Sequence, residues 1–434
     1  MATVHSEPSP SFGDSRSGPA APEENAPRIL IAAYIAAYFT MYIALITPVV
    51  STLALRVSDL STEAGRAGDL ALVTGVGAFF AFIANPLAGA LSDRTTSRLG
   101  MRRPWLLWGV LSGSVGLMII AVAPSVPVVV IGWAITQTAF NGAQAALQAL
   151  LPDQVGEAQR AQVSGWLGIA QNVAPLAGIG IALSLTNAGV PAMWMFLIPT
   201  TIALAGVLFL VAVLKDRTAT REEVGRFDLG SFLKGFWISP RQFPDFGWAF
   251  AGRFLLLFGF AFWNAYQVYF LQDRFGFDDG EALSWQLRLM VAQAAVLVVA
   301  ASVGGYLSDR TGRRKVFVIL SSVLAAAGLL ALAATQNPSY LYVGAVLAGA
   351  GMGMYFAVDL ALVTDVLPNK ETEAAKNMGV FNIANALPQS LAPAVAPAVL
   401  AIGAGGNNYG LLFGVGAVVV AVGAVSTMFI KGAR

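Results

Sequence analysis

The chain is 434 residues long, 56% apolar and only 12% charged, with 26 Lys and Arg against 24 Asp and Glu and a net charge of +2. Mean hydropathy is +0.68; a soluble domain carries about 25% charged residues, so a soluble globular fold is excluded. The net charge is too small to suggest nucleic-acid binding, and the absence of cysteine together with the single histidine, His5, excludes disulfides, thiol catalysis and a Cys/His metal centre.

Residues 1–27 are rich in Ser, Pro, Glu and Ala and predict a disordered tail. The tail has no apolar stretch of its own, so the first apolar run is expected to act as an uncleaved insertion signal. Twelve apolar runs then follow, each long enough to cross a bilayer core of about 30 Å as a helix. They are predicted near 29–54, 68–91, 104–123, 126–151, 161–186, 191–214, 246–271, 282–307, 315–335, 339–367, 374–401 and 408–430. The longest polar break, 215–245, separates the sixth run from the seventh. The predicted architecture is an all-α membrane protein of two six-helix halves, 28–214 and 246–434, with 215–245 as a linker. With both termini in the cytoplasm, the inner loops hold 17 Lys and Arg, from Arg94 to Lys376, and the outer loops hold Arg56, Arg66 and Arg274. Positive charge favours the inner side, so this orientation is the predicted one.

The halves repeat one another. Leu-Ser-Asp-Arg-Thr begins at Leu91 and again at Leu307, 216 positions later. Leu151-Pro152 and Leu367-Pro368 are spaced by the same interval, as are Arg160 and Lys376. Internal repeats of this kind are common in transporters, whose substrate sites lie between the repeats near the bilayer midplane.

Gly89 and Leu91 to Arg94, followed by Arg98, Arg102 and Arg103, match Gly305 and Leu307 to Arg310, followed by Arg313 and Arg314. On this loop motif, present twice in a twelve-helix chain, the sequence resembles the major facilitator superfamily along almost its whole length. The string from Ser92 to Pro104 and the end of the fourth run, with Asn141, Gln144 and Leu150 to Asp153, are similar to sucrose transporters and their glycoside–pentoside–hexuronide relatives. Gln148 stands where plant sucrose transporters carry an arginine. The resemblance implies a monomer whose first, fourth, seventh and tenth helices line a central cavity.

For the repeated motif, Gly89 and Gly305 would let helices approach closely. Asp93 and Asp309 would pair with a neighbouring helix end or arginine, and the trailing arginines would sit at the anionic inner leaflet. The paired charges form either a latch that opens and closes during transport or a set of topology signals.

Ionisable residues deep in a span are costly and mark function. Asp359 sits eight residues before Leu367 and Arg253 eight residues after Asp245, each ~12 Å from the same membrane face at 1.5 Å per residue. They are predicted to form an intramembrane ion pair, which either binds and releases a coupling proton or sodium ion or braces two helices.

Gln137, Asn141, Gln144 and Gln148 share one face of the fourth helix. With Tyr38 in the first helix and Trp263, Asn264 and Gln267 in the seventh, they are the predicted cavity lining. Amides and aromatic rings suit a neutral polyhydroxylated solute, although amides also bond helices to one another. The reading is therefore a gradient-driven secondary transporter in the plasma (inner) membrane, importing a sugar or glycoside with a proton or sodium ion. No cofactor and no metal are implied, and no nucleophile–histidine pair or phosphate loop points to an enzyme. The alternatives are proton-coupled efflux of amphipathic drugs and a non-transporting receptor or sensor.

Overall fold

A computed structural model describes residues 25–220, 222, 224, 230, 238–368, 370–403 and 407–432. Most of the tail 1–27 and the middle of the linker 215–245 lie outside these residues. Among the described residues the regular structure is helical, with twelve helices long and apolar enough to span a membrane. They are α1 Arg28–Leu60, α2 Arg66–Ser92, α3 Arg103–Val122, α4 Val126–Gln154, α5 Glu157–Asn187, α6 Trp194–Val213, α7 Pro244–Phe275, α8 Asp279–Thr311, α9 Arg314–Ala334, α10 Leu341–Val366, α11 Lys370–Leu400 and α12 Tyr409–Met428.

Local chemistry accounts for the breaks. Helix α7 ends at Gly276, whose φ of 71° suits a residue without Cβ. Two residues later Asp278 opens α8 with a capping box to Glu281. Helix α1 passes Pro48, which lacks an N–H, through a π-helical turn, Pro48–Thr52, and resumes as α-helix over Leu53–Leu60, six residues past its expected end at 54.

Within the first six helices, α1 packs on α5 and α6, α2 on α4, and α3 on α4 and α6. Adding six to every number gives the main contacts of the last six: α7 on α11 and α12, α8 on α10, and α9 on α10 and α12. The duplicated sequence thus builds a duplicated packing scheme. Small residues allow the closest of these contacts. A Cβ on Gly116 would stand 2.6 Å from the Gly132 carbonyl oxygen, and one on Gly328 would stand 2.9 Å from that of Gly344. Outward-facing Trp108, Val122, Val298 and Val418 are exposed and apolar, as a lipid-facing surface requires.

The two sets meet along α2 with α11 and along α5 with α8, a pairing that is again its own repeat image. These seams frame the central cavity.

Candidate functional site: an amide-lined cavity and a buried ion pair

A cavity of about 910 Å³ lies between the two sets of helices. Its polar wall comprises Tyr42, Thr74, Asn85, Gln137, Asn141, Gln144, Gln148, Gln171, Asn264, Asn385 and Gln389. Between these lie Leu45, Ile46, Val49, Phe82, Ile83 and Trp133. None of the described lining residues is charged.

The four-residue stripe on α4 lies entirely on this wall. Its amides are held in place: Asn141 donates to the Gln137 carbonyl (2.8 Å) and to Gln137 Oε1 (3.2 Å), and Gln144 donates to the Tyr42 hydroxyl. Asn85 reaches the Asn141 carbonyl from α2 at 3.4 Å. Tyr38, expected on the wall, stands behind it: its ring stacks on Tyr42 at 4.8 Å, and Tyr42 takes the lining position.

Helix α7 differs from expectation. Asn264 lines the cavity with Ala261 and Ala265, but Trp263 and Gln267 do not. At about 100° per residue, 263 falls roughly 150° and 267 roughly 110° from the centre of the face that carries 261, 264 and 265. Trp263 packs edge-on against Phe270 and Phe413 in the interior of the second set of helices, and Gln267 is buried. Thr74 and Asn85 were not anticipated. An amide next to a proline, Asn85-Pro86, inside an apolar run was the available signal.

Arg253 Nη1 donates to Asp359 Oδ2 at 2.6 Å. Asp359 is only 3% exposed and also bonds Tyr355, one turn away on α10. The Arg253 guanidinium lies 4.8 Å from the Phe381 ring centre, and its Nε donates to Asn385 Oδ1 at 2.6 Å. Neither member of the pair lines the cavity, and α10 contributes no described lining residue; α2, α5 and α11 do. The expectation that the tenth helix forms the wall is therefore corrected. Arg253 links Asp359 to Asn385, which lines the cavity.

In the first repeated motif, Arg102 bonds Asp93 (2.6 Å), Asp153 (2.9 Å) and Ser92 (2.8 Å), joining the ends of α2 and α4 to the start of α3. Burial disfavours its charge, but Asp153 and Asp93 outweigh that and raise its pKa. The backbone N–H groups of Arg102 and Arg103 donate to Asp216, the first acid of the linker, at 2.6 and 2.8 Å. Burial pushes the Asp216 carboxyl above its ordinary value even though those N–H groups pull it down. Arg94 bonds the Ala90 carbonyl, and Arg98 is exposed. In the second motif the bridge is Arg314 to Asp365, while Asp309, Arg310 and Arg313 are exposed. These pairs join helices of the same set. The motif glycines are not sterically required here: a Cβ would stand 3.9 Å from Ala145 at Gly89 and 3.6 Å from Ala357 at Gly305, both ordinary contacts.

Bonds between the two sets cluster at the opposite end of the bundle. Arg66 at the start of α2 forms an ion pair with Asp273 on α7, and its guanidinium lies over the Tyr269 ring. Tyr409 and Asn407 also donate to Asp273. Tyr266 donates to the Ala67 carbonyl, Tyr269 to that of Ala54 (2.8 Å), and Gln286 to that of Val50 in the π-turn (2.7 Å). Toward the motif end, by contrast, Gln148 and Gln171 are exposed, and a Cβ on Gly165 or Gly168 of α5 would meet nothing within 4 Å.

The comparisons agree with this architecture. Among solved structures, a mutant of the nucleoside transporter NupG superposes with a TM-score of 0.72 at 14% identity, covering 92% of this chain and 99% of that one. A bacterial homolog of the human lysosomal transporter Spinster, solved inward-facing and unoccupied, gives 0.66 at 16% identity over 92% and 94%. The human organic anion transporter MFSD10 gives 0.64 at 16% over 92% and 99%. Probable inositol transporter 2 of Arabidopsis thaliana is 33% identical over 88 residues, 20% of this chain and 15% of that protein. These relatives are transporters rather than enzymes. The family described as MFS/sugar transport protein matches residues 26–428, and the chain, a multi-pass integral membrane protein with twelve spanning helices, belongs to that family.

Proposed function

We propose that the protein is a secondary active transporter that imports a neutral sugar or glycoside together with a proton. The supporting observation is the cavity: it is rimmed by amides, contains no described charged side chain, and has the Arg253–Asp359 pair one residue behind its wall. Amide groups both donate and accept, so they match the hydroxyls of a sugar. An uncharged wall favours a neutral ligand over an organic cation, since a cation would be desolvated without a partner.

In this reading residues 28–214 and 246–434 are two bodies joined by 215–245, and they rock about the cavity so that each end opens in turn. Both termini are placed in the cytoplasm, the orientation that the excess of Lys and Arg in the loops on that side favours. The conformation described here is then closed on the outer side by Arg66–Asp273 and open inward. Asp359 is the proton carrier: while Arg253 is held against it the carboxylate stays charged, and when the pair opens an isolated buried charge is too costly and a proton is taken up. A sodium ion is the alternative coupling ion. The protein works as a monomer in the plasma (inner) membrane.

The test is proton flux into proteoliposomes, read by an internal pH dye, across mono-, disaccharides and glycosides. Acidification evoked by one of them and lost in Asp359→Asn supports the reading; silence in folded protein overturns it. The apolar stretch of wall from Leu45 to Val49, with Phe82 and Ile83, favours one second reading, efflux of amphipathic compounds. Proton release driven by such a compound, with no response to sugars, would establish it.

A further inference from the structure

Asn385 holds a position that no other described lining residue shares. It lines the cavity, and its Oδ1 accepts from Arg253 Nε at 2.6 Å, while Nη1 of the same guanidinium holds Asp359 at 2.6 Å. One rigid planar group thus joins a cavity amide to a buried acid. The guanidinium is also confined by Phe381, one helical turn from Asn385 on the same face of α11.

We infer that Asn385 is the positioning residue through which a solute in the cavity controls protonation of Asp359. The inference rests on the function proposed above. A solute hydroxyl that hydrogen-bonds Asn385 Oδ1 competes with Arg253 Nε for the same oxygen. Loss of that bond lets the guanidinium turn, which weakens its bond to Asp359 Oδ2, and the carboxylate takes a proton from water reaching it through the cavity. On solute release the bond to Asn385 re-forms, Arg253 returns to Asp359, and the proton leaves. The planar fork makes the exchange concerted, because Nε and Nη1 cannot move independently.

The surroundings of Asp359 leave few competing controllers. Among the described residues, the charged and titratable groups that act on it are Arg253 from α7 and Tyr355 from its own helix. Nearer to Asp359, α8 meets α10 through Gly304 against Met354 and Gly305 against Ala357, all uncharged, while Arg314 of α9 donates to the Ala361 carbonyl and is held by Asp365. Helix α11 has a means of responding: Pro388, three residues beyond Asn385, interrupts its backbone bonding, and α11 forms one of the two seams between the sets of helices.

The test needs no knowledge of the solute. Dicyclohexylcarbodiimide reacts with buried carboxylic acids and not with carboxylates, so its rate of attachment to Asp359, read by mass spectrometry on the full-length protein in lipid, reports protonation. Asn385→Ala removes the tie and should label several-fold faster than wild type at the same pH. Asn385→Asp, which draws the guanidinium away with a full charge, should label faster still. Leu391→Ala, on an exposed face of α11 away from the cavity wall, is the control for a general loosening of the helix and should label at the wild-type rate. Equal rates in wild type and both Asn385 variants would overturn the inference, as would equal acceleration by Leu391→Ala.

A second arm separates this inference from the proposed function. If sugars evoke proton flux in wild type but labelling does not depend on residue 385, the function stands and the linkage falls. If labelling depends on residue 385 but no sugar evokes proton flux, the linkage stands and the sugar reading falls. If both hold, Asn385→Ala should carry solute with several-fold fewer protons per molecule than wild type.

Discussion

Removing one partner of a buried ion pair leaves the other charge stranded, at a cost of about 3–5 kcal/mol, whereas replacing both with apolar groups of similar size is often neutral. Asp359 is almost fully buried and Arg253 nearly so. Asp359→Ala should therefore lower thermal stability in detergent strongly, by about that amount, and Arg253→Met/Asp359→Leu should restore most of it. Differential scanning fluorimetry on the three proteins checks this. A double variant that is stable yet transports solute without protons would separate coupling from bracing; one that still couples would leave the pair a brace. The same residues show what sequence can reveal. Matching depth placed Arg253 and Asp359 at one level, and four-residue spacing placed the amides of α4 on one face. Sequence did not reveal that α7 packs Trp263 against Phe413 and buries Gln267, because its amides and aromatics occupy more than one face and only packing selects which one meets the cavity. Asn385 was legible as a polar residue in a span, but its bond to Arg253, 132 positions away, was not.

At the scale of elements, the decisive contact is α8 against α10, which backs the helix bearing Asp359. A Cβ on Gly353 would come within 2.2 Å of the Leu297 carbonyl oxygen, a backbone atom that cannot swing away. Gly353→Ala should force the two helices apart and cost about 1–3 kcal/mol, the usual range for overpacking. Gly414→Ala, with nothing within 4 Å of its Cβ, should be tolerated. Thermal midpoints of the two variants, compared side by side, test the contrast. Helix ends were legible to within a few residues wherever a loop glycine or a cap marks them, as at Gly276 and Asp278. The extension of α1 from 54 to Leu60 was not, because Arg56 and Asp59 read as the polar end of an apolar run.

For the whole molecule, the 216-residue repeat foretold that each six-helix set would pack by the same rules, and the paired contacts α3 with α4 and α9 with α10 follow it. Which end of the bundle is shut was not legible. Arg66 and Asp273 lie 207 residues apart and meet only because of how the two sets tilt. That tilt makes a direct prediction. A Cβ on Gly280 of α8 would lie 3.1 Å from Asn187 Oδ1 at the end of α5, so cysteines at these two positions are within reach of a disulfide between the sets. The chain has no cysteine, so Asn187→Cys/Gly280→Cys needs no background correction. If transport requires the closed end to open, oxidising this pair should abolish solute counterflow in proteoliposomes, and reduction should restore it. Each single variant should be indifferent to oxidant. A reporter cysteine at Gly168, at the splayed end, should remain reactive in the cross-linked protein, since the bond holds shut an end that is already closed. Transport that persists through complete cross-linking would mean that the two sets need not separate there, and alternating access by rocking about the cavity would have to be abandoned.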